Sequence, residues 1–289
     1  MGHNYFPPLT FQGRNIFWLS KCGGKNFHFV HPSANINIVV PCTLRAAYEY
    51  QGQKCSACSR LFVPQSLWPK IKEGLINLAS QVKMDDVRDG SVFMSAVIDD
   101  KAFKRIKSYI DFAKSGNDGM EIIFGGKCDD SKGYFVQPTI IEVKNANSKL
   151  LTEGQGNIQM EGEGIVMHSL FKEIFGPVLA VYVYPDGEEL KYLKSLKNST
   201  PYGLTGAVFG EDKQFLEIAK DVLRDAVGNL YLNDKCTGAV VGQQPFGGAR
   251  QSGTNDKAGG LHYLLRWTSP QTIKETTSPQ TEWRYPNMD

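Results

Sequence analysis

Short apolar segments of strand length alternate with segments of helical period along most of this chain. This alternation is typical of an α/β sheet covered by helices. The predicted strands are residues 26–31, 61–63, 120–124, 134–143, 178–184, 204–209 and 229–233. The predicted helices are residues 33–50, a segment opened by Pro64 and Ser66, a segment capped by Asp99 or Asp100, and residues 188–196 and 212–227.

Three stretches do not follow this pattern. Residues 1–21 form an aromatic, turn-rich lead-in without a clear period, and residues 154–172 are polar and interrupted by glycines, as in a loop or an insert. Residues 237–260 are rich in glycine and have no periodic apolar face. Because long loops without secondary structure are usually functional or disordered, the last stretch is a candidate for a binding loop.

Charge and cysteine content exclude several functional classes. Lys and Arg total 32 and Asp and Glu total 30, which gives a net charge of +2. We therefore expect no nucleic-acid partner bound through phosphate neutralisation, and the apolar stretches are too short to span a membrane. The six cysteines are irregularly spaced and follow no secretory signal. Reduced thiols are the expected state.

The most informative segment for chemistry carries Cys55 just after a glycine-containing turn. We expect this turn to lie near the start of a helix, where backbone N–H groups, Lys54 and Arg60 would favour the thiolate. The thiolate is the form in which cysteine acts as a nucleophile. The alternative is that Cys55 is simply a small buried residue, as free cysteines usually are.

Cys58 follows Cys55 at a spacing that also allows a redox dithiol or half of a zinc site. Neither is favoured, because there is no second cysteine pair and no neighbouring histidine, and the flanking residues are not those of a redox helix. The histidines show neither ligand spacing nor a clear Asp or Cys partner, so we expect structural roles for all five. They are His3, His28, His31, His168 and His262.

Two further segments are candidates for binding. Residues 173–178 are compact and could be only a turn into the strand that follows. Residues 238–248 could present backbone N–H groups to an anion, since glycine frees them, and Phe246 could form the wall of a small pocket. A flexible surface loop is the alternative for this segment.

Four motifs link these segments: Gly23-Gly24-Lys25-Asn26, Gly52-Gln53-Lys54-Cys55, Glu173-Ile174-Phe175-Gly176-Pro177 and Pro245-Phe246-Gly247-Gly248. Their order and spacing resemble the aldehyde dehydrogenase superfamily. Longer matches are similar to the branch that oxidises glutamate γ-semialdehyde, and they cover residues 22–31, 52–58, 233–235, 242–250 and 266–271. The resemblance implies an α/β catalytic-domain sheet with helices on both faces, without the Rossmann-like NAD-binding half that precedes these motifs in the family.

The resemblance also implies the activity, which is NAD-dependent oxidation of L-glutamate γ-semialdehyde to L-glutamate in proline catabolism. Cys55 would attack the aldehyde to form a thiohemiacetal, hydride would pass to NAD⁺, and water would cleave the thioester. The backbone N–H of Cys55 would form half of the oxyanion hole. Glu173 would bind the nicotinamide ribose and Phe175 would lie against the nicotinamide. No metal is implied.

The same resemblance implies a pocket for the substrate. Ser56, together with the backbone N–H groups of Gly238 and Ala239, would hold the α-carboxylate. Phe246 would pack against the aliphatic part of the substrate.

The chain departs from the family pattern at three places. Only 21 non-matching residues precede the first motif, and Lys21 stands where the family has its general-base glutamate. Lysine cannot replace that carboxylate at neutral pH unless its pKa falls greatly. Residues 154–172 interrupt a family-like Leu-Thr-Glu-Glu-Ile-Phe sequence, so a retained intron or a gene-model artefact is a further hypothesis. We expect the chain to be weakly active or inactive by itself.

The expected organisation is a lead-in over residues 1–21, a catalytic domain over 22–265 and a tail over 266–289. A strand at 267–275 would contribute to oligomer contacts. The alternative function is therefore a non-catalytic fragment or paralogue that binds full-length subunits; thiol esterase or redox chemistry at Cys55 is a third. The family is typical of the mitochondrial matrix, although no transit peptide is visible in the sequence.

Overall fold

Seven strands in the described part of the chain pair into one sheet, and helices cover both of its faces. The computed structural model describes residues 9–11, 14–16, 23–116, 119–152 and 173–288. The strands are β1 Leu9–Phe11, β2 Arg14–Ile16, β3 Phe27–Val30, β4 Arg60–Pro64, β5 Met120–Phe124, β6 Cys128–Asp129, β7 Phe135–Val136, β8 Thr139–Val143, β9 Val178–Tyr184, β10 Tyr202–Gly203, β11 Thr205–Phe209, β12 Asn229–Leu232 and β13 Ala249–Arg250. The helices are α1 Ile36–Tyr48, α2 Trp68–Ser80, α3 Asp100–Lys114, α4 Lys149–Thr152, α5 Glu189–Asn198 and α6 Lys213–Leu223.

The main sheet has the strand order β12-β11-β3-β4-β9-β8-β5. Neighbouring strands are parallel except for β5, which pairs antiparallel with β8 at the edge. The central strands β3, β4 and β11 are buried along their whole length. Continuous burial is expected where helices cover both faces of a parallel sheet, and it confirms the predicted α/β fold.

The two faces carry separate hydrophobic clusters. One cluster packs α1 and α2 against the sheet, through residues such as Leu44 and Ile71. The other packs α3, α5 and α6 on the opposite face, through residues such as Ile110. The predicted cap of α3 is Asp99, whose carboxylate accepts a hydrogen bond from the Ala102 N–H.

Several predicted boundaries are confirmed and others shift. The strands predicted at 120–124 and 178–184 have those bounds. The stretch 134–143 divides at Pro138 into β7 and β8, because proline has no N–H to give to the sheet. The aperiodic lead-in contains an antiparallel pair, β1 and β2, that the sequence did not predict.

The C-terminal residues differ from the expectation. Residues Leu261–Trp267 form a 3-10 helix, and residues 268–275 adopt no strand in this single chain. A strand requires a neighbouring strand for its N–H and C=O groups, and none pairs with 268–275 among the described residues. The predicted insert at 154–172 lies outside the described residues. No described helix has the length and apolar character needed to cross a membrane.

The fold brings three of the predicted motifs to one edge of the sheet. Residues 23–26 directly precede β3, residues 55–59 precede β4, and residues 173–177 precede β9. These strands are parallel neighbours in the order β3-β4-β9, so their amino ends lie side by side. Motifs that are about 30 to 150 residues apart in sequence therefore meet, each roughly one strand spacing from the motif on the neighbouring strand.

Candidate active site

Cys55 lies in a tight turn, residues 54–57, that leads towards β4 and is named here the Cys55 turn. The Ala57 N–H closes the turn on the Lys54 carbonyl at 2.9 Å. The cysteine is a half-buried free thiol. The expectation that it lies near a helix start is wrong, because the turn follows a 3-10 helix, Glu49–Gly52, and leads into a strand.

The two basic residues expected to favour the thiolate have other partners. The Lys54 ammonium pairs with the Glu49 carboxylate at 2.7 Å. Arg60 is buried, and its guanidinium donates hydrogen bonds to the carbonyls of Lys25 and Leu151 and to the Ser199 hydroxyl. Arg60 is therefore a core residue that holds the start of β4, and its contacts give the thiol no support.

Asn26 fixes the backbone of the Cys55 turn. Its amide nitrogen donates to the carbonyls of Cys55 and Ala57, both at 2.8 Å, and its amide oxygen accepts from the Thr205 N–H at 3.1 Å. The side chain is buried, with 1% of the residue exposed. The Asn26 side chain thus connects the segment before β3 with the segment before β4 and with the first residue of β11. The sequence contained Asn26 in a motif but gave no sign of this role.

The backbone before the turn is strained. Tyr50 and Gln51 have φ angles of 60° and 58°, in the left-handed region that non-glycine residues rarely adopt. Gly52 follows with φ +64°, and a Cβ there would lie 2.4 Å from the Gly176 carbonyl oxygen. The close approach explains why glycine is needed at this position, and it fixes the segment before Cys55 against residues 173–177. Such strain is typical of functional segments held by their surroundings.

Ser56 connects the turn to the glycine-rich loop. The hydroxyls of Ser56 and Thr237 form a buried hydrogen bond of 2.7 Å. Gly238 and Ala239 follow directly, and their N–H groups, like that of Cys55, donate to no acceptor within the described ranges. The structure therefore brings three of the predicted substrate-binding residues close to the thiol. Thr237, which the sequence analysis missed, makes the connection.

Phe246 is half-buried in the same loop. Its N–H donates to the Ala258 carbonyl at 2.9 Å. Asn229 in β12 holds the residues on both sides of Phe246. Its amide nitrogen donates to the Pro245 carbonyl, and its amide oxygen accepts from the Gly247 N–H. The loop is thus fastened to the sheet on either side of the aromatic ring.

Glu173 and Phe175 line one cleft, together with Gly52 and Cys58. Phe175 has a left-handed φ of 48°. Burial raises the pKa of the Glu173 carboxyl to about 7, against the opposing effects of Lys25, the Gly24 N–H and Arg105. A buried carboxyl beside an aromatic ring can accept hydrogen bonds from the hydroxyl groups of a ligand. Lys21, at the expected general-base position, lies outside the described residues.

A second group of chemical side chains lies under the turn. His28, Cys58 and Cys236 are buried, with their donor atoms within 4.8 Å of one another. The prediction that no histidine has a cysteine partner is therefore wrong for His28. Only the strand pairing shows it, because these residues are at least 30 positions apart and no local spacing connects them.

A model of the aldehyde dehydrogenase family matches residues 17–156 and 166–273. The chain belongs to the aldehyde dehydrogenase family. The unmatched residues 157–165 lie within the predicted insert.

Within the aldehyde dehydrogenase family, similar proteins include the mitochondrial delta-1-pyrroline-5-carboxylate dehydrogenases of Danio rerio and Homo sapiens. They are 55% and 54% identical to this chain over 269 residues, which is 93% of the chain and 45% and 44% of those proteins. The crystal structure of the Mycobacterium tuberculosis enzyme bound with NAD matches with a TM-score of 0.78 and 40% identity, and the match covers 94% of this chain and 46% of that one. The chain thus spans just under half the length of these relatives.

Proposed function

We propose that these 289 residues carry the nucleophile and the substrate pocket of an aldehyde dehydrogenase that converts L-glutamate γ-semialdehyde into L-glutamate. The observation that carries the proposal is the 2.7 Å bond between Ser56 and Thr237, since it joins the Cys55 turn to the loop with unpaired N–H groups among the described residues. The names of the similar proteins support the same substrate, which forms by opening of pyrroline-5-carboxylate.

Cys55 is the proposed nucleophile. Its thiolate adds to the aldehyde carbon and forms a thiohemiacetal, and the new oxyanion accepts a hydrogen bond from the Cys55 N–H. Loss of hydride from that carbon gives a thioester, which water then cleaves to the carboxylate and the free thiol. The bonds from Asn26 to the Cys55 and Ala57 carbonyls hold this N–H in place.

The substrate carboxylate is proposed to bind at Ser56, Gly238 and Ala239. Hydrogen bonds from backbone N–H groups to a carboxylate contribute about 1.5–3 kcal/mol each. Gly238 has a φ of +84°, a left-handed angle that favours glycine, so the peptide groups on either side can point towards an anion. Phe246 provides the apolar wall for the methylene carbons of the substrate.

Glu173 and Phe175 fit the nicotinamide end of NAD⁺, because a carboxyl and an aromatic ring line one cleft that also includes Gly52, three residues before Cys55. When bound, NAD⁺ supplies the hydride acceptor. The Glu173 carboxyl would accept hydrogen bonds from ribose hydroxyls, and the Phe175 ring would pack against the nicotinamide.

These residues alone are expected to give little or no dehydrogenase activity, since they correspond to less than half of the enzymes they resemble. The test is NADH formation from pyrroline-5-carboxylate and NAD⁺ by the purified chain, together with a direct NAD⁺ binding measurement. Rapid NADH formation that Cys55→Ser abolishes would overturn the expected inactivity, and it would support the nucleophile.

Ester hydrolysis tests the nucleophile independently of NAD⁺. Cys55→Ser should abolish hydrolysis of a p-nitrophenyl ester, whereas Cys128→Ser should leave it unchanged, because Cys128 is a half-buried free thiol outside the site. Equal rates in Cys55→Ser and the parent chain would exclude Cys55 as the nucleophile.

A second proposed function is association with full-length subunits. The observation that favours it is the exposure of large apolar side chains in residues 261–288, named here the C-terminal segment: Leu261, Leu264, Leu265, Trp267, Ile273 and Trp283. Co-purification with a full-length subunit would support it, and a monodisperse monomer that binds none would exclude it. Because the similar animal proteins are mitochondrial by name, we propose the same compartment for this chain.

We also propose that residues 154–172 are a retained intron or a gene-model artefact. Sequencing transcripts across this region should reveal a shorter form without it, and finding only the longer form would contradict the proposal. The family match resumes at residue 166, which lies inside the proposed insert. The sequence of a shorter transcript would show at which residue the insert ends.

A further inference from the structure

The buried cluster under the Cys55 turn combines three side chains that bind soft metal ions. His28 belongs to β3, Cys58 lies just before β4, and Cys236 lies after β12. One imidazole nitrogen and two sulfurs lie within 4.8 Å of one another, and each residue is at most 2% exposed. The strand pairing places them on the face of the sheet that α1 and α2 cover.

The hydrogen bonds of His28 select the tautomer that a metal ligand requires. The His28 Nε2 accepts a bond from the Cys236 N–H at 3.2 Å, so the proton belongs on Nδ1, which donates to the Thr43 hydroxyl at 2.9 Å. An outer partner on one ring nitrogen commonly fixes the other as the ligand. The unprotonated Nε2, which faces Cys236, is therefore the ring nitrogen that can bind a metal ion.

A fourth polar group, the Thr205 hydroxyl, lies next to Cys236. Among the described residues this buried hydroxyl has no hydrogen-bond partner of normal geometry.

We propose that His28, Cys58 and Cys236 form a structural binding site for Zn²⁺, with the Thr205 hydroxyl or a water as the fourth ligand. Two thiolates and a neutral imidazole exactly balance a divalent charge, so the bound ion adds no net charge to the core. Zn–S bonds of about 2.3 Å in a tetrahedron separate the sulfurs by roughly 3.8 Å. Small side-chain rotations from a separation of at most 4.8 Å reach that geometry.

The ion would connect elements that belong to the candidate active site. Cys58 directly follows the Cys55 turn, and Cys236 directly precedes Thr237, which bonds to Ser56. Binding releases the two thiol protons to solvent. The bonds to Zn²⁺ replace the weak S–H bonds to the Arg60 and Ser56 carbonyls and the bond from the Cys236 N–H to the His28 Nε2. Cys58 also lines the cleft beside Glu173.

The test is metal binding by the reduced, full 289-residue chain. After metal removal and gel filtration, Zn²⁺ should bind at one ion per chain, and Co²⁺ should give the near-ultraviolet absorption of a cobalt–thiolate bond. At a hundredfold excess over the Kd, Zn²⁺ should raise the Tm by about 5 °C or more. Cys236→Ser and Cys58→Ser should abolish the absorption, and His28→Gln should weaken Zn²⁺ binding at least tenfold.

Cys42→Ser and Cys128→Ser are the matched controls, because both thiols are free and lie outside the cluster. Cys55→Ser should also retain binding, which separates this site from the proposed nucleophile. Melting in EDTA shows whether each variant is folded. The proposal is overturned if the reduced parent chain stays colourless with Co²⁺, or if the absorption persists in Cys236→Ser. It is likewise overturned if Cys58 and Cys236 form a disulfide and the reduced chain binds no metal.

Discussion

The Cys55 turn and the C-terminal segment differ in whether their groups find partners inside the chain. The turn makes its bonds inside the chain, through the buried Asn26 amide and the bond from Ser56 to Thr237. The C-terminal segment leaves large apolar side chains in solvent, including Leu261 at 92% and Ile273 at 80% exposure. Nearly all residues from 261 to 288 are exposed.

This difference shows which part of the chain keeps its structure without contact to another subunit. A site whose backbone is fixed by its own sheet edge keeps its geometry in isolation, whereas an exposed apolar segment gains stability only against another surface. Substitutions in the two regions should therefore change different quantities. Changes near the turn should lower the free energy of unfolding, and changes in the C-terminal segment should alter association.

Asn26→Ala should have the largest effect on the free energy of unfolding. It leaves the Cys55 and Ala57 carbonyls and the Thr205 N–H without their partner, at a total cost of about 4 kcal/mol. Urea unfolding gives the change directly. The control is Asn77→Ala, an exposed position in α2. A loss no larger than that of the control would contradict the role of Asn26.

Glu173→Gln should change how stability depends on pH. Burial raises the pKa of Glu173 to about 7 from an ordinary 4.5, so the folded chain holds a proton that the unfolded chain has released between these values. The free energy of unfolding should therefore fall as pH rises through this window, by up to about 3 kcal/mol.

The Gln variant removes this dependence, because its amide does not titrate. Unfolding in urea at pH 4.5 and pH 7.5 should show a smaller decrease for the variant than for the parent chain. Parallel pH profiles would mean that the Glu173 carboxyl is not held as a buried acid.

Ser56→Ala should have a smaller effect, about 1 kcal/mol, because it removes one buried hydroxyl pair and leaves Thr237 without that partner. The reference is Ser108→Ala, an exposed position in α3. If the two variants unfold at the same urea concentration, the connection between the Cys55 turn and the glycine-rich loop contributes nothing to stability.

Replacing Ile273 and Trp283 with serine should have the smallest effect on stability, within about 0.5 kcal/mol, since both side chains are exposed. The expected change is in self-association, measured by light scattering over a range of concentrations. A large loss of stability would show that the C-terminal segment packs on its own chain.

The sequence predicted the sheet and its helices well because apolar periodicity reports burial directly. β9 shows this most clearly, since its seven residues, six of them buried, have the predicted bounds. β1 and β2 were missed because residues 1–21 carry no period to detect. The strand expected at 267–275 needs a partner strand, and the described residues supply none.

The structure brings some of the predicted site residues together, but the contacts that hold them in place were not predicted from the sequence. Ser56 and Gly238 were expected together through the family resemblance, and Thr237 brings them together. Asn26 and Cys236 were missed because their roles depend on which strands are neighbours. The expected support from Lys54 failed because Glu49, five residues earlier, is its partner.

If Cys55 and its surroundings form an aldehyde site within these residues, a bound aldehyde should shield the thiol, and alkylation kinetics measure this directly. Pyrroline-5-carboxylate, which is in equilibrium with the semialdehyde, should slow the reaction of Cys55 with iodoacetamide and leave Cys128 unaffected, as followed by peptide mass spectrometry. Ser56→Ala should require more of the compound for the same protection. Equal rates for Cys55 with and without the compound would contradict the account.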